Sequence, residues 1–312
     1  MNRVVFMGTP DAAVPVLDII QKSGKYQIVG VYTQPDKPVG RGLEVKVSPV
    51  KAKALEFGLP VFQPEKMTLP GEFEKLSALQ PDFLVVVAYG QILKRNVLDL
   101  PRFGCINVHF SLLPRWRGAA PFQWAILAGD QETGVSTMVM AQKLDAGPVL
   151  LQEKVTIEPH ETTKSLHDRL AVLGAKMILP TLEGLERNTL VKTIQDESRV
   201  TLAPRLTKEM ELLDSSQPAE VLDRRVRALN PWPGTSVRVG GQRLKIKAAL
   251  ARRDIAGTPG LIFEKAGMLL LGTTEGSLEL IRLQWDGKKE VDVAEFLNGL
   301  RGRGQVLPLK LV

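Results

Sequence analysis

The chain is short of sulfur and imidazole: its 312 residues include one cysteine, Cys105, and three histidines. A lone cysteine excludes an internal disulfide and points to a reducing compartment. So few Cys and His residues also leave no ligand set for a dedicated zinc site. Long apolar runs are missing, for nothing approaches the roughly 18 residues of a membrane span. The opening MNRVVFMGTP breaks at Gly8-Thr9-Pro10, too early for a signal peptide. These absences predict a cytoplasmic protein with no metal and no membrane attachment. Acidic residues are locally absent too. Residues 224–253 hold nine basic side chains and no acidic one, within a chain of formal charge +7. Such a stretch is a candidate footprint for a polyanion, although a solvated basic face has the same composition.

What is present reads as two domains, which the length allows. Short β-branched runs at 3–8, 27–33, 82–88, 105–110 and 135–140 alternate with helix-like segments near 11–22, 49–57, 71–79, 121–128 and 162–187. That alternation predicts an α/β domain, Rossmann-like with a mostly parallel sheet, over residues 1–189. The expected Gly-rich dinucleotide loop and the lysine-bearing phosphate loop are both absent after the first strand; Asp11 is read there as a helix cap. Residues 34–50 form a Pro- and Gly-punctuated loop, long enough to suggest function, with Ser48-Pro49 starting the next helix. Residues 190–207 are read as a linker. Residues 208–312 start with a helix near 218–229 and continue as short strands between glycine turns, which predicts a small OB-like β-barrel. In RLKIK, Arg243, Lys245 and Lys247 share one strand face and Leu244 and Ile246 the other, as a barrel wall facing phosphates requires.

The chemistry concentrates in CINVHFSLLPRWRGAAP, residues 105–121. Asn107 and His109 lie two apart on an apolar strand and so share a face. Ligands of parallel sheets sit beyond the carboxyl ends of the strands, which is where this pair falls. Two satisfied core polar groups would look the same in sequence. Asp145 adds a carboxylate in a turn between two strands, with Ala146-Gly147 permitting a tight bend. No nucleophilic Ser or Cys stands in a triad or elbow context. An amide that donates to a developing oxyanion, an imidazole and a carboxylate suit acyl transfer between bound partners.

Asn-x-His, then SLLPRWRGAAPFQWAI, then LDAG resemble the folate-dependent formyltransferase superfamily. The resemblance extends to FMGTPDAAVPVL, TQPDKPVGRG, VVVAYGQIL, APRLTKE and RALNPWPGT, and is strongest to its methionyl-tRNA formyltransferase family. It implies Asn107, His109 and Asp145 as catalytic residues, 10-formyltetrahydrofolate as formyl donor and initiator methionyl-tRNA as acceptor, with no metal and no obligate protein partner. It also implies a donor site at Gln91, Ile92 and Leu93 and the turn Ser111, Leu112, Leu113 and Pro114. Arg41 and Lys46 of the long loop, with Arg243, Lys245 and Lys247, are the implied tRNA contacts. Arg115 and Arg117 could equally be exposed loop charges, while Trp116 and Trp124 read as packing residues.

Three related activities and one unrelated one compete. Glycinamide ribonucleotide formyltransferases need a small-residue phosphate loop where this chain has GTPDAAV. Sugar-nucleotide formyltransferases lack the insertion at 36–45. A formyltetrahydrofolate hydrolase domain or a catalytically dead RNA-binding module would share parts of the pattern, but the intact Asn-His-Asp set speaks against the last. Two departures concern the acceptor side: LEVKV follows Gly42 where relatives carry more lysines, and LLD at 212–214 lacks a following tryptophan.

Overall fold

Every position from Val4 to Met7 is apolar and fully buried, a pattern too continuous for a strand with one wet face. This run becomes an interior strand of a seven-stranded sheet in a computed structural model that describes residues 1–39, 44–302 and 304–311. In chain order the elements are β1 (Asn2–Gly8), α1 (Val14–Ser23), β2 (Tyr26–Tyr32), β3 (Lys37–Val39), β4 (Glu44–Lys46), α2 (Pro49–Glu56), β5 (Val61–Phe62) and α3 (Glu72–Ala78). They continue with β6 (Phe83–Val87), α4 (Arg95–Leu98), β7 (Cys105–His109), β8 (Arg117–Gly118), α5 (Pro121–Ala128), β9 (Glu132–Val139), β10 (Val149–Thr156), α6 (Thr163–Glu186) and β11 (Leu202–Ala203).

The sheet order is β10-β9-β7-β6-β1-β2-β5. The run from β7 to β5 is parallel, whereas β9 is antiparallel to both β7 and β10. The order reverses direction between β1 and β6, so their carboxyl ends border the crevice where such sheets bind ligands. On one face Val5, Met7, Leu84, Val86 and Cys105 join Leu76 of α3 and Val97 of α4 in a single core. On the other, α6 comes so close that a Cβ on Gly174 would meet Val108 Cγ1 at 2.8 Å. Alternation along β7 therefore gives Val108 to α6 and leaves Asn107 and His109 on the face of Cys105.

Three local readings change and one holds. Within residues 34–50, read in the sequence as one long loop, β3 and β4 pair antiparallel, with Lys37 opposite Lys46. Asp11 lies in the first turn of a short 3-10 helix, and its carboxylate accepts from Ala12 N–H rather than capping α1. Ser48 does cap α2, accepting from Lys51 N–H at 3.1 Å. Residues 190–203 belong to the first compact unit, because β11 pairs in parallel with β8 and Thr193 bridges Val149.

The second unit comprises Phe122–Gln131, Ile157–Ser165 and Pro204–Val312. After α7 (Ala219–Leu229) come β12 (Ser236–Val239), β13 (Gln242–Arg252), β14 (Leu261–Lys265), β15 (Met268–Gly272), β16 (Ser277–Trp285), β17 (Val291–Asp292), α8 (Val293–Arg301) and β18 (Leu309–Lys310). The antiparallel order is β12-β13-β16-β15-β14-β18, and a bridge between Val239 and Leu311 links its two ends. Leu244 and Ile246 enter the core with Leu222, Val226, Leu271 and Phe296. Helix α8 has no counterpart in the sequence reading: its Phe296 and Leu300 follow a helical spacing in a stretch that reads there as strands and turns.

Candidate functional site

His109 ends β7, and its ring is held from two sides. Nε2 lies 2.9 Å from the Trp116 carbonyl. A carbonyl only accepts, so Nε2 carries the proton in that contact. Nδ1 faces Asp145 Oδ2 at 3.7 Å, both side chains being largely shielded from solvent. That separation exceeds a hydrogen bond and matches an ion pair once the ring is charged. The same Asp145 Oδ2 accepts from Gly118 N–H at 2.8 Å. Asn107, at 9% exposure, makes no side-chain hydrogen bond among the described residues. Its amide atoms are not among the buried unpartnered ones and so reach solvent, on the strand face of His109. The structure thus brings His109 and Asp145 together and leaves the Asn107 amide available at the same strand end.

Trp116 and Asp145 both adopt positive φ, +64° and +48°. Non-glycine residues there carry about 1–3 kcal/mol of strain, which the surroundings must over-determine. For Asp145 the surroundings are specific. Gln195 Nε2 donates to the Asp145 carbonyl at 2.8 Å and to the Gly147 carbonyl at 2.7 Å. Gly147 cannot carry a side chain, because a Cβ would sit 1.8 Å from Val139 O.

The turn after β7 is pinned by polar contacts. Ser111 Oγ donates to Arg115 O at 2.6 Å, and Ser136 Oγ accepts from Leu113 N–H at 3.1 Å. Gln152 Nε2 donates to Leu113 O at 2.8 Å. Leu113 packs with Met138 and Val149, and Leu112 Cδ2 lies where a Cβ on Gly134 would stand. The backbone of Ser111 and Leu113 and the side chains of Leu112 and Leu113 therefore hold the turn to β9 and β10, the Ser111 hydroxyl braces it internally, and Pro114 follows half-buried. Arg117 is the clearest departure from the sequence reading: at 2% exposure it is a buried cation and not an exposed loop charge.

The segment after β6 has another character. Gln91 accepts from Met67 N–H at 2.7 Å and donates to Pro64 O at 2.9 Å, tying 64–67 to this strand end. Leu93 is buried, while Ile92 is 83% exposed. Among the described residues the backbone groups of 91–93 take no hydrogen-bond partner. Across the crevice, Thr9 Oγ1 and Gln34 Nε2 both donate to Tyr89 O, at 3.1 and 3.2 Å. Neither residue was singled out by the sequence, since one hydroxyl and one amide in loops carry no spacing signal.

On the acceptor side, Arg41 lies outside the described residues and Lys46 is exposed. Arg243, Lys245 and Lys247 share the outer face of β13, but two of them are already paired. Arg243 binds Glu211 at 3.2 Å and Asp286 at 2.9 Å, and Lys245 binds Asp286 at 3.2 Å. Those hydrogen bonds hold the Asp286 carboxyl below its usual range. The acid-free stretch is thus answered by acids from elsewhere in the chain: Asp223 pairs with Arg227, Glu279 with Arg252 and Glu220 with Arg253. Among the described residues no group of three or more His, Cys, Asp or Glu side chains could hold a metal ion. No described helix is long and apolar enough to cross a membrane.

Comparisons with known proteins give the family and the fold. Residues 1–182 match the formyl transferase family and residues 205–301 the formyl transferase C-terminal domain. Methionyl-tRNA formyltransferase of Methylococcus capsulatus is 49% identical over 297 residues, covering 95% of this chain and 96% of its own. That of Bacillus subtilis is 44% identical, covering 96% and 95%. Among solved structures, HypX from Aquifex aeolicus in complex with tetrahydrofolic acid superposes with a TM-score of 0.66 at 16% identity, over 99% of this chain and 50% of that one. The N-formyltransferase from Helicobacter canadensis in complex with folinic acid and dTDP-3-aminofucose gives 0.66 at 16% identity, over 90% and 99%. These two likenesses concern the fold. By its matched domains and its near-full-length relatives, the chain belongs to the methionyl-tRNA formyltransferase family of formyl transferases.

Proposed function

We propose that the protein transfers the formyl group of 10-formyltetrahydrofolate to the free α-amino group of methionine on initiator methionyl-tRNA, in the cytoplasm, with Asn107, His109 and Asp145 as the catalytic residues. The observation that carries this reading is an unpartnered Asn107 amide beside a His109–Asp145 pair at the ligand end of the sheet. The donor fits the crevice on one specific ground. The unpaired backbone of 91–93 and the exposed Ile92 side chain offer an edge of donors and acceptors next to an apolar surface, which a flat heteroaromatic ring with polar edges can cover.

The donor supplies a formyl carbon attached to a nitrogen leaving group. The methionyl nitrogen bonds to that carbon, the bond to the donor nitrogen breaks, and one proton passes from the attacking amine towards the leaving nitrogen. The Asn107 amide donates to the formyl oxygen as negative charge develops there. His109 keeps Nε2–H on the Trp116 carbonyl, so Nδ1 is the position that takes up and returns the proton. A proton on Nδ1 faces the Asp145 carboxylate, which offsets the charge. The amine must be neutral to attack, and a free α-amino group titrates near about 7.7–8.0. Arg41, Lys46, Arg243, Lys245 and Lys247 are proposed as contacts to the tRNA backbone.

The test is incubation with the formyl donor and charged initiator methionyl-tRNA, charged elongator methionyl-tRNA or a dTDP-amino sugar. Formylmethionine on the initiator species is the expected product. Formyl transfer to the amino sugar alone, or hydrolysis of the donor without transfer, overturns the reading.

A further inference from the structure

Gln195 stands in the stretch between α6 and β11, and its carboxamide is used completely. Oε1 accepts from Arg117 Nε at 3.0 Å, and Nε2 donates both protons, to Asp145 O at 2.8 Å and Gly147 O at 2.7 Å. This fixes the orientation of the amide. Flipped, it would set its N–H groups against the guanidinium and its oxygen against two carbonyls. Arg117 is in turn held by Glu197, whose Oε1 accepts from Nη2 at 2.8 Å, while Glu197 Oε2 accepts from Lys143 Nζ at 2.5 Å. Thr193 and Val149 exchange backbone hydrogen bonds at 2.8 and 2.9 Å. Residues 193–197 therefore grip the loop between β9 and β10 before Asp145, at Asp145 and after it.

The grip has a reason. Asp145 sits at φ +48°, a conformation it does not prefer, and its carboxylate must meet both Gly118 N–H and the His109 ring. A buried arginine is also an expensive way to hold a loop unless it is paired, as Arg117 is through Nε to Gln195 and Nη2 to Glu197. None of the described contacts places Arg117 or Gln195 against the Asn107 amide or the His109 ring. We propose that Gln195 and Arg117 are positioning residues for formyl transfer, acting through the backbone of Asp145 to set its carboxylate against His109. The proposal rests on the catalytic reading of Asp145 given above.

Gln195→Glu tests it, because the variant keeps the size and the acceptor for Arg117 but turns two donated hydrogen bonds into contacts between oxygens. A misplacement of this kind is expected to lower kcat by about 10- to 100-fold. KM for the donor and for charged tRNA should stay within about threefold, as for an interaction made in the transition state alone. In an Asp145→Asn background the same substitution should change kcat by less than about twofold, since nothing remains for it to act through. If the glutamate variant fails to fold in a thermal melt, Gln195→Met is run in the same two backgrounds. Equal fold losses in both backgrounds, or unchanged kcat in the single Gln195 variant beside an impaired Asp145→Asn, overturn the positioning role and leave the catalytic reading intact. Unchanged kcat in Asp145→Asn overturns the catalytic reading and the positioning role with it.

Discussion

Gly118 donates its backbone N–H to Asp145 Oδ2 at 2.8 Å, from a position that no other residue can occupy without displacement. Its φ is +132°, and a Cβ would lie 2.4 Å from Ala203 O in the neighbouring strand β11. The carboxylate facing His109 is thereby tied to the tightest approach between β8 and β11. Gly118→Ala should cost about 1–3 kcal/mol of stability through overpacking. It should also lower kcat at least about tenfold, because the donor to Asp145 moves. Urea denaturation and steady-state kinetics on one preparation check both. Wild-type kcat alongside a clear stability loss would detach Gly118 from the site.

Cys105 shares the face of Asn107 but is chemically silent. Burial pushes its thiol up to about 12, and the Val97 carbonyl takes its S–H at 3.6 Å. At pH 8 the folded protein should resist iodoacetamide with full activity, and unfolding in urea should release one reactive thiol. Inactivation of the folded protein at the rate of a free thiol would overturn this.

Glu197 links the acid limb of stability to the Asp145 loop. Hydrogen bonds from Arg117 and then Lys143 bring its carboxyl from 4.5 down to about 2. A carboxyl whose folded value lies below its unfolded one stabilises the fold above the unfolded value, and loses that contribution as pH falls towards the folded one. The window is therefore between about pH 4.5 and about pH 2. Glu197→Gln should be less stable than wild type at neutral pH, with the difference shrinking as pH falls through that window. A difference constant between pH 7 and about pH 3 would contradict the assignment.

Much of this arrangement could be read along the chain, and the remainder could not. The strand carrying Asn107 and His109 and the turn carrying Asp145 are local patterns, set by a period of two and by small residues at a bend. Ser48 before Pro49 likewise announces α2. Arg117 could not be told from a surface charge, because its partners Gln195 and Glu197 lie far along the chain in a stretch that reads as a linker. The basic run at 224–253 shows the converse, since its pairing could not be read along the chain. Its acids, Glu211, Glu220, Glu279 and Asp286, are outside the window and reach it only through the fold.

That pairing sharpens the expectation for RNA. Exposed pairs such as Arg243 with Asp286 are worth about 0–1 kcal/mol, little enough for a phosphate to compete. Neutralising Arg243, Lys245 and Lys247 together should weaken tRNA binding and reduce the slope of log K against log salt by about 0.7–0.9 per lost phosphate contact. Asp286→Asn should strengthen binding at low salt, and donor binding should stay unchanged in both. An unaltered salt slope in the triple variant would leave the stripe as a solvated face.

The central claim is that one amide and one imidazole at the end of β7 carry the chemistry. Its most direct test is single-turnover transfer from the formyl donor to charged initiator methionyl-tRNA, with enzyme and donor saturating, in wild type, Asn107→Ala and His109→Ala. Loss of one oxyanion donor typically slows such a step by about 10²–10³, and a drop of that order is predicted for Asn107→Ala. His109→Ala should be slowed comparably, within the range of about 10²–10⁴ for a positioned proton carrier. A single-turnover rate within about threefold of wild type in either variant, far below those losses, would contradict the account.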